Sequence, residues 1–207
     1  MLAFDEPSHT YTWKGKPVTN VTRALAPLTD FSRIDPDVLE TARQKGVAVH
    51  RMIELHAAGT LDADNLPEWM RPAHAFWLKF VDEAGVEIVA SEQRVYHRIY
   101  AYAGTLDLVL RMRGMSGLGV VDVKRSLAYT PAVRLQTAAY REAWNNGRTK
   151  VDGYAEWCGA LRLNETQPYR FAPFIGPKFA DDMTMFLTSL RFQRDGEILE
   201  KWKEQNK

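Results

Sequence analysis

The spacing of apolar residues changes near residue 86, and this change limits the fold more than any other feature of the sequence. Before it, apolar residues recur every three or four positions over 37–58 and 67–84, which predicts two amphipathic helices. After it, side chains alternate over 94–102 and 105–112, which predicts strands. The other predicted elements are strands at 86–90, 119–124, 154–163 and 169–175, a helix at 131–146, and C-terminal helices that begin with one over 177–190.

Two helices, a β-meander, another helix and further strands predict an α/β (α+β-like) fold, in which helices flank a central mixed sheet. No internal repeat, low-complexity tract or Ser/Gly linker divides the 207 residues, so we expect one domain over 1–207. Within it we distinguish an N-terminal hairpin and helices over 1–85, the central sheet and helix over 86–150, and C-terminal strands and helices over 151–207.

The composition excludes several classes of protein. No run of about 18 apolar residues is present and the N-terminus lacks a basic region followed by an apolar one, so we expect neither a membrane span nor a signal peptide. Cys158 is the only cysteine. It excludes an intramolecular disulfide and a cysteine-ligated iron–sulfur cluster, and it is typical of a reducing cytoplasm, where we expect this protein to reside.

Two aspartates and a lysine form the most informative pattern. Asp122 and Lys124 lie two residues apart on a predicted strand, so their side chains share one face. Asp107 lies on the preceding strand, and Leu106 and Leu108 are expected to face together away from it. If the two strands pair through the intervening turn, Asp107 and Asp122 converge on one ion, for which carboxylates without thiols favour Mg²⁺ or Mn²⁺. The alternative is that these are exposed side chains on a solvated strand.

A histidine and a glutamate are candidates for further metal ligands. His50 borders the apolar stripe of the first long helix, where a neutral imidazole can bind a metal. The alternative is a histidine at the edge of the core, hydrogen-bonded to the backbone. Glu92 begins the strand that leads towards Asp107 and is a candidate secondary ligand, although an ordinary strand-edge glutamate fits the sequence equally well.

Gln136 and Tyr140 lie one turn apart on the helix after Lys124, so their polar groups can hold a phosphate or a nucleotide from one helix face. The alternative is a half-buried helix with Tyr140 in the core. Arg125 and Arg134 are candidates for phosphate contacts because they lie close in sequence to Lys124 and Gln136.

The predicted strand over 94–102 places Tyr96, Arg98, Tyr100 and Tyr102 on one face. Interleaved Arg and Tyr side chains stack on bases and neutralise phosphates in single-strand binders, so Arg98 and Tyr100 are candidate DNA contacts. The alternative is that helices cover this face and the tyrosines pack beneath them.

In chain order these residues resemble the PD-(D/E)XK nuclease superfamily, and more narrowly its RecB-type branch. The similar motifs are His50 on a helix, a Gly104–Asp107 strand, an Asp122–Lys124 strand and a Gln136–Tyr140 helix. The predicted hairpin over 9–18 also resembles stand-alone phage and mitochondrial exonucleases of this branch.

The resemblance implies a restriction-endonuclease-like core with one or two Mg²⁺ or Mn²⁺ ions and no iron–sulfur cluster. It implies that Lys124 activates water and that Gln136 and Tyr140 hold the DNA strand. The metal ligands it implies are Asp107, Asp122, the Val123 carbonyl and His50, to which Glu92 is added as a candidate.

The expected function is therefore a metal-dependent DNA exonuclease that acts on ends, preferably single-stranded, in recombination, repair or phage DNA metabolism. A recombinase, annealing or single-strand-binding protein is the expected partner, and a bacterial or phage-infected cell the expected location. Three alternatives stay open. They are a structure-specific endonuclease with the same site, a catalytically silent nucleic-acid-binding protein, and an unrelated fold in which the acids and the lysine never meet.

The charge distribution favours nucleic acid more than the total does. The net charge is +1, but residues 91–150 carry ten Lys or Arg against four Asp or Glu, a net +6, and the rest of the chain carries −5. The segment that holds the candidate site is therefore the basic part of the sequence, as a phosphate-binding surface requires.

Overall fold

Among the residues that the structure describes, eight strands form one mixed sheet with helices on both faces, which confirms the predicted fold class. The structure is a computed structural model that describes residues 1–29, 32–125, 131–149, 151–176 and 178–205. The strands are β1 (Leu2–Asp5), β2 (Thr10–Trp13), β3 (Lys16–Asn20), β4 (Glu87–His97), β5 (Tyr102–Arg111), β6 (Leu118–Lys124), β7 (Ala155–Arg162) and β8 (Arg170–Phe174). The helices are α1 (Val21–Leu25), α2 (Pro36–Ala57), α3 (Arg71–Ala84), α4 (Pro131–Asn145) and α5 (Lys178–Gln205).

Strand β5 organises the sheet because three other strands pair with it. Along one edge of β5, residues Tyr102 to Arg111 pair with the antiparallel strand β4. On the other edge, β6 pairs antiparallel with Leu108–Leu110, and β3 pairs parallel with Tyr102 and Ala103. Residues 104–107 therefore have no strand partner on this second edge among the described residues.

Local sequence signals account for where the long helices begin and end. Asp35 caps α2, since its carboxylate accepts hydrogen bonds from the N–H groups of Asp37 and Val38, and Pro36 occupies the first turn, where a missing N–H costs nothing. Gly85 ends α3 with a left-handed φ of 56°. None of the described helices combines the length and the apolar character needed to cross a lipid bilayer.

Two apolar cores lie on opposite faces of the sheet. The first packs α1, α4 and α5 against residues of β5 that include Tyr102 and Leu106. The second packs α2 and α3 against Leu108 and Leu110 of the same strand. Because both faces are covered, β5 and β6 are buried along almost their whole length.

The regular alternation of β5 is interrupted at Asp107, which corrects the expectation that Leu106 and Leu108 face the same side. Leu106 enters the first core and Leu108 enters the second. Residues two apart on a regular strand share a face, so the backbone between these two leucines departs from the two-residue period. Asp107 occupies this irregular position.

The predicted strand over 94–102 is wrong in its second half. β4 ends at His97, the chain turns, and β5 begins at Tyr102. Tyr102 is fully buried, whereas Arg98 and Tyr100 are exposed on the turn. The expected face of interleaved Arg and Tyr side chains therefore does not exist beyond His97.

The C-terminal region also differs from the prediction. α5 is one continuous helix of 28 residues, Gly196 included, rather than two helices. The predicted start at Pro177 lies outside the described residues. The predicted helices over 37–58, 67–84 and 131–146 are confirmed to within a few residues.

Gly119→Ala tests how β6 packs against β7. A Cβ at Gly119 would lie 2.3 Å from the ring of Trp157, which is buried. We expect the variant to lose about 1–3 kcal/mol of unfolding free energy, the usual range for an overpacked core. Urea unfolding followed by tryptophan fluorescence measures this loss.

Gly46→Ala is the matched control, because an added Cβ there meets no atom within 4 Å and the residue lies inside α2. Alanine is favoured over glycine in a helix interior by about 0.5–1 kcal/mol, so this variant should gain stability. Equal stability of the two variants would contradict the packing described for Gly119.

Candidate active site

The candidate site lies where β5 and β6 separate. β6 pairs with β5 only as far as Val121, so the backbone of Val123 faces a gap instead of a strand. The Val123 N–H donates to Asp107 Oδ2 at 2.6 Å, and the Val123 carbonyl accepts a hydrogen bond from His50 Nε2 at 3.0 Å. Side chains from two other elements therefore complete the hydrogen bonding of a buried backbone segment.

His50 carries a proton on both ring nitrogens in this arrangement. Its Nδ1 lies 3.2 Å from Glu92 Oε1 and 3.6 Å from Asp107 Oδ1, while its Nε2 bonds to the Val123 carbonyl. Carboxylate and carbonyl oxygens only accept hydrogen bonds, so both nitrogens must donate, as only an imidazolium can. Burial lowers the pKa of His50, but the Asp107 and Glu92 carboxylates outweigh it and raise the pKa to about 9.

Glu92 reaches His50 through an uncommon backbone conformation. It lies in β4 between Ser91 and Gln93, which pair with Leu108 and Leu106 on either side of Asp107. Its φ of 48° falls in the left-handed region, which costs a residue with a side chain about 1–2 kcal/mol. Glu92 therefore lies beside His50 and Asp107, and its role as a metal ligand stays a prediction.

Asp122 and Lys124 share one face of β6, as their spacing predicts, and Lys124 Nζ lies 2.9 Å from Asp122 Oδ1. The other carboxylate oxygen of Asp122, Oδ2, is buried and has no hydrogen-bond partner among the described residues. Burial holds the pKa of Asp122 above its ordinary value, against the Lys124 ammonium, which lowers it. Burial lowers the pKa of Lys124, but the Asp122 and Asp107 carboxylates prevail and raise it, so Lys124 is an ammonium at neutral pH.

These residues fit a hard divalent cation. One ligand atom each from His50, Glu92 and Asp107 lie within 4.8 Å of one another. Asp122 lies outside that group of three, and its unpartnered buried oxygen is a further donor that a cation would satisfy. Carboxylate oxygens with one imidazole are suited to Mg²⁺ or Mn²⁺, and His50 must lose a proton before it can bind either.

Tyr140 approaches the acidic residues from α4, and Gly104 leaves the room for its ring. A Cβ on Gly104 would lie 2.6 Å from Tyr140 Cε1. Burial raises the pKa of Tyr140, and the Asp107 and Asp122 carboxylates add to the effect, so its hydroxyl stays protonated and can donate. The Gln136 side chain lowers the pKa of Tyr140 against these larger effects, so the structure brings both predicted residues of α4 together.

Tyr11 of the N-terminal hairpin lies at the edge of the site, although the spacing along the strands did not predict it there. The Tyr11 hydroxyl and Thr105 Oγ1 are hydrogen-bonded at 2.7 Å. Thr105 belongs to the stretch of β5 that has no strand partner on this edge, and the charges of Glu92 and Arg94 both act on Tyr11. The alternation of the hairpin indicates that Tyr11 faces inward, but no local signal identifies Thr105 as its partner.

Of the other predicted DNA contacts, Arg125 lines the same cleft as His50 and Lys124, whereas no described contact joins Arg134 to the acids of the site. Arg125 donates to Glu165 at 2.6 Å, and Arg134 forms an ion pair with Asp182 at 2.7 Å. A guanidinium that already binds a carboxylate must exchange that partner before it can bind a phosphate.

Arg98 and Tyr100 lie on the turn between β4 and β5, before β5 begins at Tyr102. Five residues of extended strand separate Tyr102 from Asp107, which is about 17 Å. Neither side chain is therefore part of the group around His50.

A cleft of about 630 Å³ gives access to the site. Its walls are formed by α2, the end of β6 and the loop over 164–166, and both His50 and Lys124 line it. Its volume lies within the range of clefts that bind small organic ligands.

His50→Gln should flatten the pH dependence of stability in the metal-free protein. The pKa of His50 is about 9 in the folded protein against an ordinary 6.5, so its stabilising contribution is complete below pH 6.5 and is lost as the pH rises through 9. In EDTA, we expect the wild type to lose about 1–3 kcal/mol of unfolding free energy over that interval, and the variant much less. Urea titrations at a series of pH values measure the two slopes.

His74→Gln is the control, because His74 lies on α3 and burial lowers its pKa. This variant should keep the wild-type slope. If His50→Gln and the wild type gave parallel curves, His50 would not be the imidazolium described above.

Asp122→Asn should stabilise the metal-free protein at pH 8. In the folded protein the pKa of Asp122 is raised above its ordinary value of 3.8. The protonated carboxyl therefore stabilises the fold at a pH below 3.8, and this contribution is lost as the pH rises through the folded pKa. At pH 8 the buried carboxylate is charged, and an amide of the same shape removes that charge, for a gain of about 1 kcal/mol. Thermal unfolding in EDTA measures the gain.

Asp195→Asn on the exposed part of α5 is the control, with an expected change within about 0.5 kcal/mol. A loss of stability in Asp122→Asn would contradict this prediction. It would mean that the attraction between the Asp122 carboxylate and the Lys124 ammonium exceeds the cost of burying the carboxylate.

No protein-family model matches the chain, and no curated protein matches it. Among solved structures, the chain is similar to LHK-Exo in complex with dAMP, with 14% sequence identity, a TM-score of 0.39 and coverage of 92% of this chain and 95% of that one. It is also similar to a structure of the alkaline exonuclease LHK-Exo from Laribacter hongkongensis, with 12% identity, a TM-score of 0.35 and the same coverage.

Proposed function

We propose that the chain is a nuclease that depends on a divalent metal and hydrolyses phosphodiester bonds at the ends of DNA. The observation that carries this proposal is the meeting of His50, Glu92 and Asp107 beside the Asp122–Lys124 pair, at a cleft. Phosphodiester hydrolysis needs positive charge at the phosphoryl group and a donor for the charge that develops in the transition state. Acidic metal ligands beside an ammonium group supply both.

The residues that would hold one or two Mg²⁺ or Mn²⁺ ions are Asp107, Asp122, His50, the Val123 carbonyl and Glu92. Bound there, the metal supplies positive charge that polarises the phosphodiester and makes an attacking water more acidic. The buried and unpartnered Oδ2 of Asp122 supports this assignment, because it is an acceptor for which the described residues offer no donor.

Lys124 acts in this proposal as a donor. Its pKa is raised by the Asp122 and Asp107 carboxylates, so it holds a proton at neutral pH. The ammonium can orient a water molecule and donate to a phosphoryl oxygen as negative charge develops there. Asp122 fixes its position through the 2.9 Å contact, and a role as general base would require Lys124 to lose its proton first.

Tyr140 and Gln136 are proposed to hold the DNA strand. The Tyr140 hydroxyl stays protonated beside the two aspartates and can donate to a phosphate oxygen. The Gln136 side chain acts on Tyr140, whose pKa it lowers, and its own amide can bind a phosphate oxygen of the same strand.

We further propose an exonuclease that prefers single-stranded ends, built as one nuclease domain over 1–207. It would act in recombination, repair or phage DNA metabolism in the cytoplasm of a bacterial or infected cell, together with an annealing or single-strand-binding protein. The net charge of +6 on residues 91–150 supports a polyanionic substrate.

Lys124→Ala and Asp122→Asn should each lower the rate of hydrolysis of end-labelled single-stranded DNA by at least about 100-fold, because each removes a group that acts on developing charge. The assay uses Mg²⁺ and Mn²⁺ in turn, and EDTA should abolish hydrolysis. Lys79→Ala, on an exposed face of α3, is the charge-matched control for Lys124 and should keep full activity.

Covalently closed single-stranded circles separate the alternatives, since an obligate exonuclease leaves them intact. Cleavage of circles and linear strands at similar rates would indicate an endonuclease with the same site. Full activity in both site variants would refute the assignment, and DNA binding without any hydrolysis would indicate a catalytically silent binding protein.

A further inference from the structure

A second cavity, of about 210 Å³, lies between the N-terminal hairpin, the end of β4 and the C-terminal end of α4. It is separate from the cleft at His50 and Lys124 and shares no lining residue with it. The residues that give it its chemistry are Trp13, Arg94, Tyr96, Arg98, Asn146 and Arg148.

The cavity is cationic. Three of its lining side chains are guanidinium groups, and no acidic residue is among the described residues that line it. None of Arg94, Arg98 and Arg148 forms an ion pair with a described carboxylate within 4 Å, in contrast to Arg125 and Arg134, whose guanidinium groups are paired. Three guanidinium groups without close carboxylate partners form a site for an anion.

Two of the guanidinium groups stack on aromatic rings instead of pairing with carboxylates. Arg148 lies over the ring of Trp144, with 3.8 Å from Cζ to the ring centroid, and also donates to the Trp144 carbonyl. Arg94 lies over the ring of Phe4 at 5.1 Å. Stacking on an aromatic face positions a guanidinium and leaves N–H groups at its edge to bind phosphate oxygens. Asp152 is the acid that acts on Arg148, and its carboxylate accepts from Thr149.

A stacked aromatic pair borders the same cavity. The rings of Trp13 and Tyr96 lie with their centroids 4.4 Å apart at an interplanar angle of 19°. Both residues are half-buried, so part of each side chain stays accessible to solvent. Aromatic rings beside arginines are the combination that proteins use to bind single-stranded nucleic acid, since bases stack on the rings while guanidinium groups bind the backbone.

Strand β4 carries residues of both the cavity and the candidate active site. Arg94 and Tyr96 follow Glu92 by two and four residues of extended strand, which is about 7 and 13 Å. Tyr11 lies between the two places, since its hydroxyl bonds to Thr105 and the charges of both Glu92 and Arg94 act on it. About four stacked nucleotides cover the same distance.

We propose that this cavity binds the backbone of single-stranded DNA a few nucleotides from the bond that is cut, with Arg94, Arg98 and Arg148 on the phosphates. The Trp13–Tyr96 pair is the platform for a base. This assignment rests on the proposed nuclease function and extends it, because it defines the substrate as a strand long enough to reach both places.

The test compares two double variants. Arg94→Gln/Arg98→Gln removes two charges from the cavity, and the control, Arg111→Gln/Arg191→Gln, removes two charges from ion pairs elsewhere on the protein. Binding of fluorescein-labelled oligothymidylates of 3 and 16 nucleotides is measured by fluorescence anisotropy in EDTA at several salt concentrations. We expect the first variant to bind the 16-mer at least 10-fold more weakly than the control and to have a salt dependence shallower by about 1.4, at about 0.7 per phosphate contact. Affinity for the 3-mer should be the same in both variants.

Trp13→Ala and Trp13→Phe test the platform separately, with far-ultraviolet circular dichroism to establish that both fold. Trp13→Ala should weaken binding of the 16-mer about 10-fold, in line with the loss of one stacking contact, and Trp13→Phe should restore most of it. Equal affinity of the two arginine variants for the 16-mer, or a loss confined to duplex DNA, would overturn the proposal.

Hydrolysis assays distinguish this failure from failure of the proposed function. If the wild type cleaves DNA and the arginine variants do not differ in binding, the cavity assignment alone is wrong. If the wild type cleaves no DNA with either metal, the nuclease proposal is wrong, and the anisotropy measurement still decides whether the cavity binds a strand.

Discussion

The backbone of Val123 is the constraint on which the rest of the site depends. On one edge of β5, β3 pairs only with Tyr102 and Ala103, and β6 stops pairing after Val121. A gap therefore opens between β3 and β6 inside an otherwise continuous sheet. A buried N–H and carbonyl without partners would each cost about 1–3 kcal/mol. Asp107 and His50 supply those partners, and each is thereby fixed at the mouth of the gap.

The fixed positions also concentrate charge. Three carboxylates gather around an imidazolium and an ammonium, so that in the metal-free protein His50 and Lys124 are the cations that neutralise Glu92, Asp107 and Asp122. The neutralisation is incomplete, because two cations face three carboxylates, and one buried oxygen of Asp122 has no hydrogen-bond partner among the described residues. Sites that bind a cation or a transition state commonly keep such an unfavourable group, at a cost in stability.

Sequence periodicity predicts the part of this arrangement that is local. Alternation along β6 places Asp122 and Lys124 together, and a turn between consecutive strands brings Asp107 near them. Local alternation does not place Glu92 and Tyr11, since their positions depend on a left-handed residue within β4 and on a parallel pairing of β3 with β5 across more than 80 residues. The prediction for residues 98–101 failed because this turn contains no Gly, Pro, Asn or Asp and closes on Ala101 with a φ of 53°.

Calorimetric titration of Mn²⁺ into the wild type and into Asp107→Asn tests the central claim most directly, because it measures the ion at the gap without depending on the substrate. The account predicts saturable binding to the wild type and its loss in Asp107→Asn, since Asp107 both contributes a ligand and holds the Val123 backbone in place. Thermal unfolding of both proteins without metal verifies that the variant is folded. Binding of the same affinity and stoichiometry to a folded Asp107→Asn would contradict the account.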